Sequence, residues 1–317
     1  MRAATQNYDN YFVTNSLGYN DYEVKKKVDI LILGDSFVQA IEVDQKDHFS
    51  ETIKQKYKNI TIAKIGMSGF GNSHYLANYE KFKKKFDPDI VIIVNVFNDI
   101  YNNFCDHNTS NCSSSDDLFN IKNNNDLNKE IKFLKTENDN FIFNYSAKNE
   151  LSYLRAKFYK YNSIIDSYYS TRDIYSKFLK LKKKRENKIF EEEYKGHNIT
   201  NNKFIFDYYK KINDLLHYVI VKKDNKKLLF ITINRHLYED PLNPSKNPNS
   251  DVNLKLISKS IEKKGYPHID LDPIMRLKFK NSGLLPHWDL DSHWNELGHE
   301  IVGLEISNYI KKNGWFN

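Results

Sequence analysis

Three short runs of mostly apolar residues constrain the fold of this chain more than any other feature. They are Val28–Leu33, Ile60–Ile65 and Ile90–Phe97. Segments of helical character separate them, at about His48–Tyr57 and Asn72–Phe86, where Asn72 is expected to cap the second helix. Strands that are apolar on both faces and alternate with helices form a parallel sheet covered on both sides. The pattern therefore predicts an α/β fold with three layers, α/β/α.

The same alternation returns in the last third of the chain. Helices are expected at about 204–221, 252–263 and 295–312, and strands at 228–233 and 269–271. We therefore expect an N-terminal arm over residues 1–27 and one doubly wound, flavodoxin-like domain made of residues 28–104 and 203–317. Residues 105–202 would be a mainly helical insertion. A connection of that length is unusual inside a compact domain, so we expect it to be structured or functional, and a lid over the site is one such role.

Composition excludes several classes of protein. No apolar run approaches the roughly 20 residues that span a bilayer, and the mean hydropathy is −0.69. The first residues contain no apolar signal segment, so we expect a soluble, cytoplasmic protein, or one of the cell envelope or periplasm if the native N-terminus has been trimmed. Two cysteines, Cys105 and Cys112, are too few for a disulfide scaffold, and the sequence leaves their pairing open.

The net charge of +7 comes from 48 Lys+Arg and 41 Asp+Glu. Lysine is spread through nearly every polar stretch, and the densest basic run is followed within a few residues by Glu191, Glu192 and Glu193. A nucleic-acid-binding protein concentrates its charge on one face. The distribution favours solvated helix surfaces, so we expect no nucleic-acid partner, and the oligomeric state stays open.

The chemistry-bearing residues follow the predicted strands. In an open parallel sheet, ligands bind outside the carboxyl ends of the strands. The first three strands are followed by Gly34-Asp35-Ser36, by Gly66–Gly71 and by Asn95–Asp99, and His287–Asn295 supplies acids and histidines. A serine, a glycine turn, an amide and an acid–histidine pair are the nucleophile, oxyanion donors, orienter and base of acyl transfer.

These blocks resemble those of the SGNH/GDSL hydrolases, with a more distant similarity to polysaccharide O-acetyltransferase domains of SGNH type. The matching blocks are Gly34-Asp35-Ser36-Phe37, Gly69, Asn98-Asp99 and Asp291-Ser292-His293. They occur in the family's order, and the resemblance covers about residues 28–103 and 204–312. It implies a serine esterase that forms an acyl-enzyme.

The resemblance and the expected positions together assign roles. Ser36 would be the nucleophile, His293 the general base, and Asp291 the acid that orients the imidazole. The oxyanion would be met by the backbone N–H groups of Ser36 and Gly69 and by the side-chain amide of Asn98. We expect the substrate to be a small-molecule or glycan ester, with small acyl groups removed from a carbohydrate or a lipid.

The acid has an alternative. Many members of the family place it three residues before the histidine, where this chain has Leu290. Asp291 lies two residues before His293 and Asp289 four before, so Asp289 is the second candidate.

The sequence is also compatible with other functions. The same triad would serve a carbohydrate O-acyltransferase, and a catalytically silent module that binds a glycan or a protein partner would keep the fold. The alternating His287, Asp289, Asp291 and His293 are of metal-ligating types. One short segment lacks the supporting partners that metal sites need, so we expect no metal and no cofactor.

Overall fold

The computed structural model describes residues 2–4, 8–24, 26–96, 99, 202–233, 248–288 and 293–316. The predicted insertion, with Cys105 and Cys112, lies outside these residues. Asn98, Asp289 and Asp291 lie outside them as well.

A five-stranded parallel sheet forms the centre of the part of the chain that the structure describes. Its strands are β3 (Ile30–Gly34), β4 (Ile62–Gly66), β5 (Ile90–Val96), β6 (Lys227–Ile233) and β7 (His268–Asp270), in the spatial order β4-β3-β5-β6-β7. The strand order reverses between β3 and β5, which is the switch point of a doubly wound fold of flavodoxin-like order. The predicted fold class is confirmed. Strands β1 (Arg2–Ala4) and β2 (Asp9–Tyr11) form a separate antiparallel pair.

Helices follow the strands. They are α1 (Ser36–Gln39), α2 (Phe49–Lys56), α3 (Asn72–Phe86), α4 (Asn202–His217), α5 (Pro248–Glu262), α6 (Leu271–Ser282) and α7 (Glu296–Lys312). A short 3-10 turn precedes α2, and a π-helical turn, Tyr218–Lys223, continues α4. Helix α6 was not predicted because it begins directly at the end of β7, where the Asp270 carboxylate accepts the Asp272 N–H.

The cap of α3 differs from the prediction. Gly71 occupies the N-cap position and Asn72 is the first helical residue. The buried Asn72 amide instead donates to the side-chain oxygen of Asn95 at the end of β5. Asn72 therefore ties the start of α3 to the sheet, a contact between distant residues that local pattern does not reveal.

Each central strand buries both of its faces. Leu31 and Leu33 of β3 pack in one hydrophobic cluster with residues of α3, α4 and α5. Ile30 and Ile32 pack in the opposite cluster, with residues of α2, α6 and α7. Side chains alternate across a strand, so a fully apolar strand needs a helical layer on each side.

The N-terminal residues pack against the domain. Tyr19 is buried, and its hydroxyl donates to the side-chain oxygen of Asn78 in α3 at 3.2 Å. Asp21 accepts the Lys64 N–H at 2.8 Å and forms a buried ion pair with its ammonium group at 3.9 Å. Burial raises the pKa of Asp21 and lowers that of Lys64 to about 8. Residues 19–21 are thus part of the folded domain.

Candidate active site

Ser36 lies at the switch point of the sheet, as the first residue of α1 directly after β3. The Asp35 carboxylate caps this helix by accepting the Phe37 N–H at 3.0 Å, and the Ser36 hydroxyl lies 3.4 Å from Asp35 Oδ2. Because the strand turns into a helix at this point, Ser36 is half-buried at the rim.

A glycine at the end of β4 lets α1 lie directly on the sheet. A Cβ on Gly66 would overlap the backbone of Val38 and Gln39. The side chain of Gln39 in turn accepts the Ser68 N–H at 3.0 Å, which ties the turn after β4 to the end of α1. Any side chain at position 66 would push α1, and with it Ser36, away from the sheet.

His293 reaches Ser36 from the loop before α7. Its Nε2 lies 2.8 Å from Ser36 Oγ, and its ring packs against that of Phe37 with centroids 4.9 Å apart. A hydrogen bond from the Trp288 N–H to the His293 carbonyl, at 3.2 Å, fixes the backbone of this loop. The structure therefore brings together two side chains that are 257 residues apart in the sequence.

Trp294 and Asn295, the two residues that follow His293, anchor the loop. Trp294 is buried against Phe37 and Phe49. Asn295 caps α7 by accepting the Gly298 N–H at 3.0 Å, and its amide donates to the Leu285 carbonyl at 2.8 Å. These two residues hold the histidine loop against the domain.

Sequence reasoning missed an acidic neighbour of His293. Glu42 Oε1 lies 3.4 Å from His293 Nδ1, and the Glu42 side chain is only 5% exposed. The available signal was an acid between the apolar residues Ile41 and Val43, just after α1. A carboxylate in such a stretch is buried only when it has a partner.

Two further buried carboxyls lie near the serine. Burial raises the pKa of Asp35 to about 6, against the opposing effects of the Phe37 N–H and of His293. Burial, and then the charge of Asp35, raise the pKa of Asp99 well above its ordinary range. Asp99 accepts the Tyr75 hydroxyl at 2.9 Å and the Val96 N–H at 3.1 Å. At neutral pH this region therefore carries less negative charge than two free aspartates would.

Gly69 lies in the turn that follows β4, the strand beside β3. The Phe70 N–H donates to the Met67 carbonyl at 3.0 Å across this turn, and Gly69 has a φ of +87°. That backbone region is costly for residues with a Cβ. Gly69 thus lies at the same end of the sheet as Ser36. Asn98, the third expected oxyanion donor, lies outside the described residues.

The structure describes only some of the residues expected to act as acids or to be of metal-ligating types. Asp291 and the alternative Asp289 are not among the described residues. His287 is buried, with Nδ1 donating to the Trp288 carbonyl at 3.0 Å, and His293 faces Ser36. Over the described parts of the chain, no group of three or more His, Cys, Asp and Glu side chains is arranged to hold a metal ion. None of the helices described there is long and apolar enough to cross a membrane.

No protein-family model and no curated protein sequence matches this chain. Solved structures with a similar arrangement include three whose names concern ester hydrolysis or lipolysis. A lipolytic G-D-S-L family member from Veillonella parvula is 8% identical, and the match covers 91% of this chain and 98% of that one at a TM-score of 0.43. The psychrotrophic esterase EstA from a Pseudoalteromonas species is 12% identical, with 89% and 96% coverage and a TM-score of 0.42. The acetyl xylan esterase AlAXEase is 13% identical, with 89% and 99% coverage and a TM-score of 0.43.

Proposed function

We propose that this chain is a serine ester hydrolase of the SGNH/GDSL type that forms an acyl-enzyme on Ser36. The observation that supports this proposal is the 2.8 Å approach of His293 Nε2 to Ser36 Oγ at the switch point of the sheet. A nucleophile and a base within hydrogen-bond reach, held on a helix start and a fixed loop, are the first requirement of acyl transfer.

The reaction proceeds in two halves. His293 takes the hydroxyl proton of Ser36 as the oxygen attacks the ester carbonyl carbon, and the carbonyl oxygen becomes an oxyanion. When the intermediate collapses, the bond to the alcohol oxygen breaks and His293 gives its proton to the leaving alcohol. Water then attacks the acyl-serine in the same way, with His293 again as the base, and releases the carboxylic acid and free Ser36.

The remaining roles follow the sequence assignments. The N–H groups of Ser36 and Gly69 and the amide of Asn98 meet the oxyanion. The loss of one such donor costs about 10²- to 10³-fold in rate. The sequence assigns the orientation of the imidazole to Asp291, with Asp289 as its alternative. The substrate is an ester of a small acyl group with a carbohydrate or a lipid.

The decisive experiment measures hydrolysis of p-nitrophenyl acetate together with labelling by a fluorophosphonate probe. We expect the wild-type protein to turn over the ester and to carry the label on Ser36. Ser36→Ala should abolish labelling and lower kcat/KM by about 10⁴-fold or more. A sugar alcohol added to the assay shows whether the acyl group also passes to a hydroxyl acceptor.

The matched control is Ser282→Ala. Ser282 is an exposed serine at the end of α6, and its hydroxyl donates to the Lys278 carbonyl and accepts the Leu284 N–H within the same helix end. Its loss should leave labelling and turnover unchanged. A wild-type protein that neither hydrolyses the ester nor reacts with the probe would overturn the proposed function.

A further inference from the structure

Glu42 reaches the far side of the His293 ring from the segment that follows α1. Its Oε1 lies 3.4 Å from Nδ1, while Nε2 of the same ring lies 2.8 Å from Ser36 Oγ. The carboxylate and the hydroxyl therefore lie at opposite nitrogens of one imidazole. That is the arrangement in which an acid stabilises an imidazolium while the ring exchanges a proton with a nucleophile.

The backbone around Glu42 is fixed by the N-terminal residues. The Asn10 side-chain amide donates to the Glu42 carbonyl, and the Asn20 amide donates to the Gln39 carbonyl at 2.7 Å and to the Ala40 carbonyl at 3.2 Å. Ala40 adopts a left-handed conformation with φ of 46°, which turns the chain back after α1. These contacts fix the backbone from which the nearly buried Glu42 carboxylate reaches His293.

Among the described residues, the charged and titratable groups near His293 come from three elements. Glu42 lies on the segment after α1, Asp35 on the turn after β3, and His299 on α7. Burial lowers the pKa of His299 to about 3, so this neighbour is neutral near pH 7. In this described part of the chain, two carboxyl groups from different elements therefore lie near His293, those of Glu42 and Asp35.

We propose that Glu42 is a positioning residue for His293. Its carboxylate holds the ring with Nε2 toward Ser36 and stabilises the imidazolium that forms when the serine proton moves to Nε2. The Nδ1 proton stays on the ring and Glu42 stays ionised throughout. The catalytic part of this inference rests on the proposed function; the electrostatic contact between Glu42 and His293 does not.

The first test is Glu42→Gln, which keeps the shape of the side chain and removes its charge. We expect kcat/KM to fall about 10²-fold with little change in KM. The acid limb of the pH profile of kcat/KM should move to lower pH. Glu42→Asp, which keeps the charge, should restore the position of that limb in part. Glu300→Gln, a charge removal at an exposed position on α7, is the matched control and should change neither quantity.

The second test measures the protonation of His293 directly and does not depend on catalytic turnover. A titration of the protein with ¹⁵N-labelled histidine, followed by NMR and assigned with His293→Gln, gives the protonation midpoint of this ring. A carboxylate within 4–6 Å favours the charged form by about one pH unit or more, so Glu42→Gln should lower the midpoint by about that amount. Chemical denaturation of each variant shows that it is folded.

The outcomes separate the two proposals. An unchanged midpoint together with kcat/KM within about threefold of wild type would overturn the role of Glu42, even where the wild type is an active esterase. A titration that moves in Asp291→Asn alone would overturn that role as well. A shifted midpoint in a protein that lacks esterase activity would support the Glu42–His293 contact and would count against the proposed function instead.

Discussion

Three histidines lie close together in this molecule, and their surroundings give them different chemistry. The rings of His48 and His299 are 4.9 Å apart, and both are fully buried. His293 is partly exposed, with a side chain 23% accessible, and has Glu42 and Asp35 beside it. Burial thus makes two of these rings neutral structural groups, whereas the third is partly open to solvent and lies beside carboxyl groups.

The two buried rings act as hydrogen-bonding partners for the backbone. His48 Nδ1 caps α2 by accepting the Ser50 N–H at 3.0 Å, and its Nε2 donates to the Val38 carbonyl at 3.2 Å. His299 Nδ1 accepts the Phe49 N–H at 3.4 Å. Burial lowers the pKa of both, to about 3 for His299. Neither ring can bind a proton near neutral pH without losing an acceptor that the backbone uses.

The largest expected effect is on catalytic activity, and it should distinguish His293 from the buried His299. His293→Gln removes the general base, so we expect kcat/KM for p-nitrophenyl acetate to fall about 10⁴-fold or more, with loss of fluorophosphonate labelling. His299→Gln should lower kcat/KM by less than about tenfold, because this ring serves the backbone of α2 and has no role in the proposed proton transfer. Equal losses of kcat/KM in the two variants would contradict the distinction between a catalytic His293 and a structural His299.

The effects on stability should have the opposite order, with the larger loss at His299 and the smaller at His293. His299→Leu leaves the Phe49 N–H without its acceptor, so we expect the free energy of unfolding to fall by about 1–3 kcal/mol. His293→Gln changes a partly exposed side chain and should cost less than about 1 kcal/mol. Urea denaturation at pH 7.5 measures both, and a larger loss for the His293 variant would contradict the assignment.

The pH dependence of stability sharpens the comparison further. The folded pKa of His299, about 3, is below the unfolded value of about 6.5, so the unfolded chain binds the extra proton between these two pH values. The stability that this group contributes is therefore complete above pH 6.5 and is lost as the pH falls toward 3. At pH 5 we expect a loss of about 2 kcal/mol relative to pH 7.5 from His299, with His48 acting in the same direction. Urea midpoints in wild type and in His299→Leu, in which the loss should be smaller, test this.

The smallest effect should come from Asp35→Asn. Asparagine caps a helix about as well as aspartate, so α1 should persist while one charge beside His293 disappears. We expect kcat/KM to fall by less than about tenfold and its acid limb to move less than in Glu42→Gln. A larger shift than that of Glu42→Gln would make Asp35 the dominant carboxylate on the ring. Its pKa of about 6 leaves Asp35 partly protonated at mildly acidic pH.

Much of the fold could be predicted because its signals are local. Apolar runs in β3 and β5 and the helical periodicity between them imply a covered parallel sheet whatever the rest of the chain does. Helix α6 was missed because it starts at the end of a three-residue strand. The cap of α3 was placed one residue late because the Asn72 amide bonds to Asn95 across the fold.

In the candidate site, too, some features could be predicted from local sequence and others depend on tertiary contacts. The sequence by itself placed Ser36 after a buried strand and paired it with His293, because a parallel sheet brings the carboxyl ends of its strands to one edge. Only the tertiary structure decided that Glu42 faces Nδ1 of His293 and that His48 and His299 are neutral. The charge state of a histidine depends on the groups within a few ångströms and on its distance from water. Neither quantity is written in the spacing of residues along the chain.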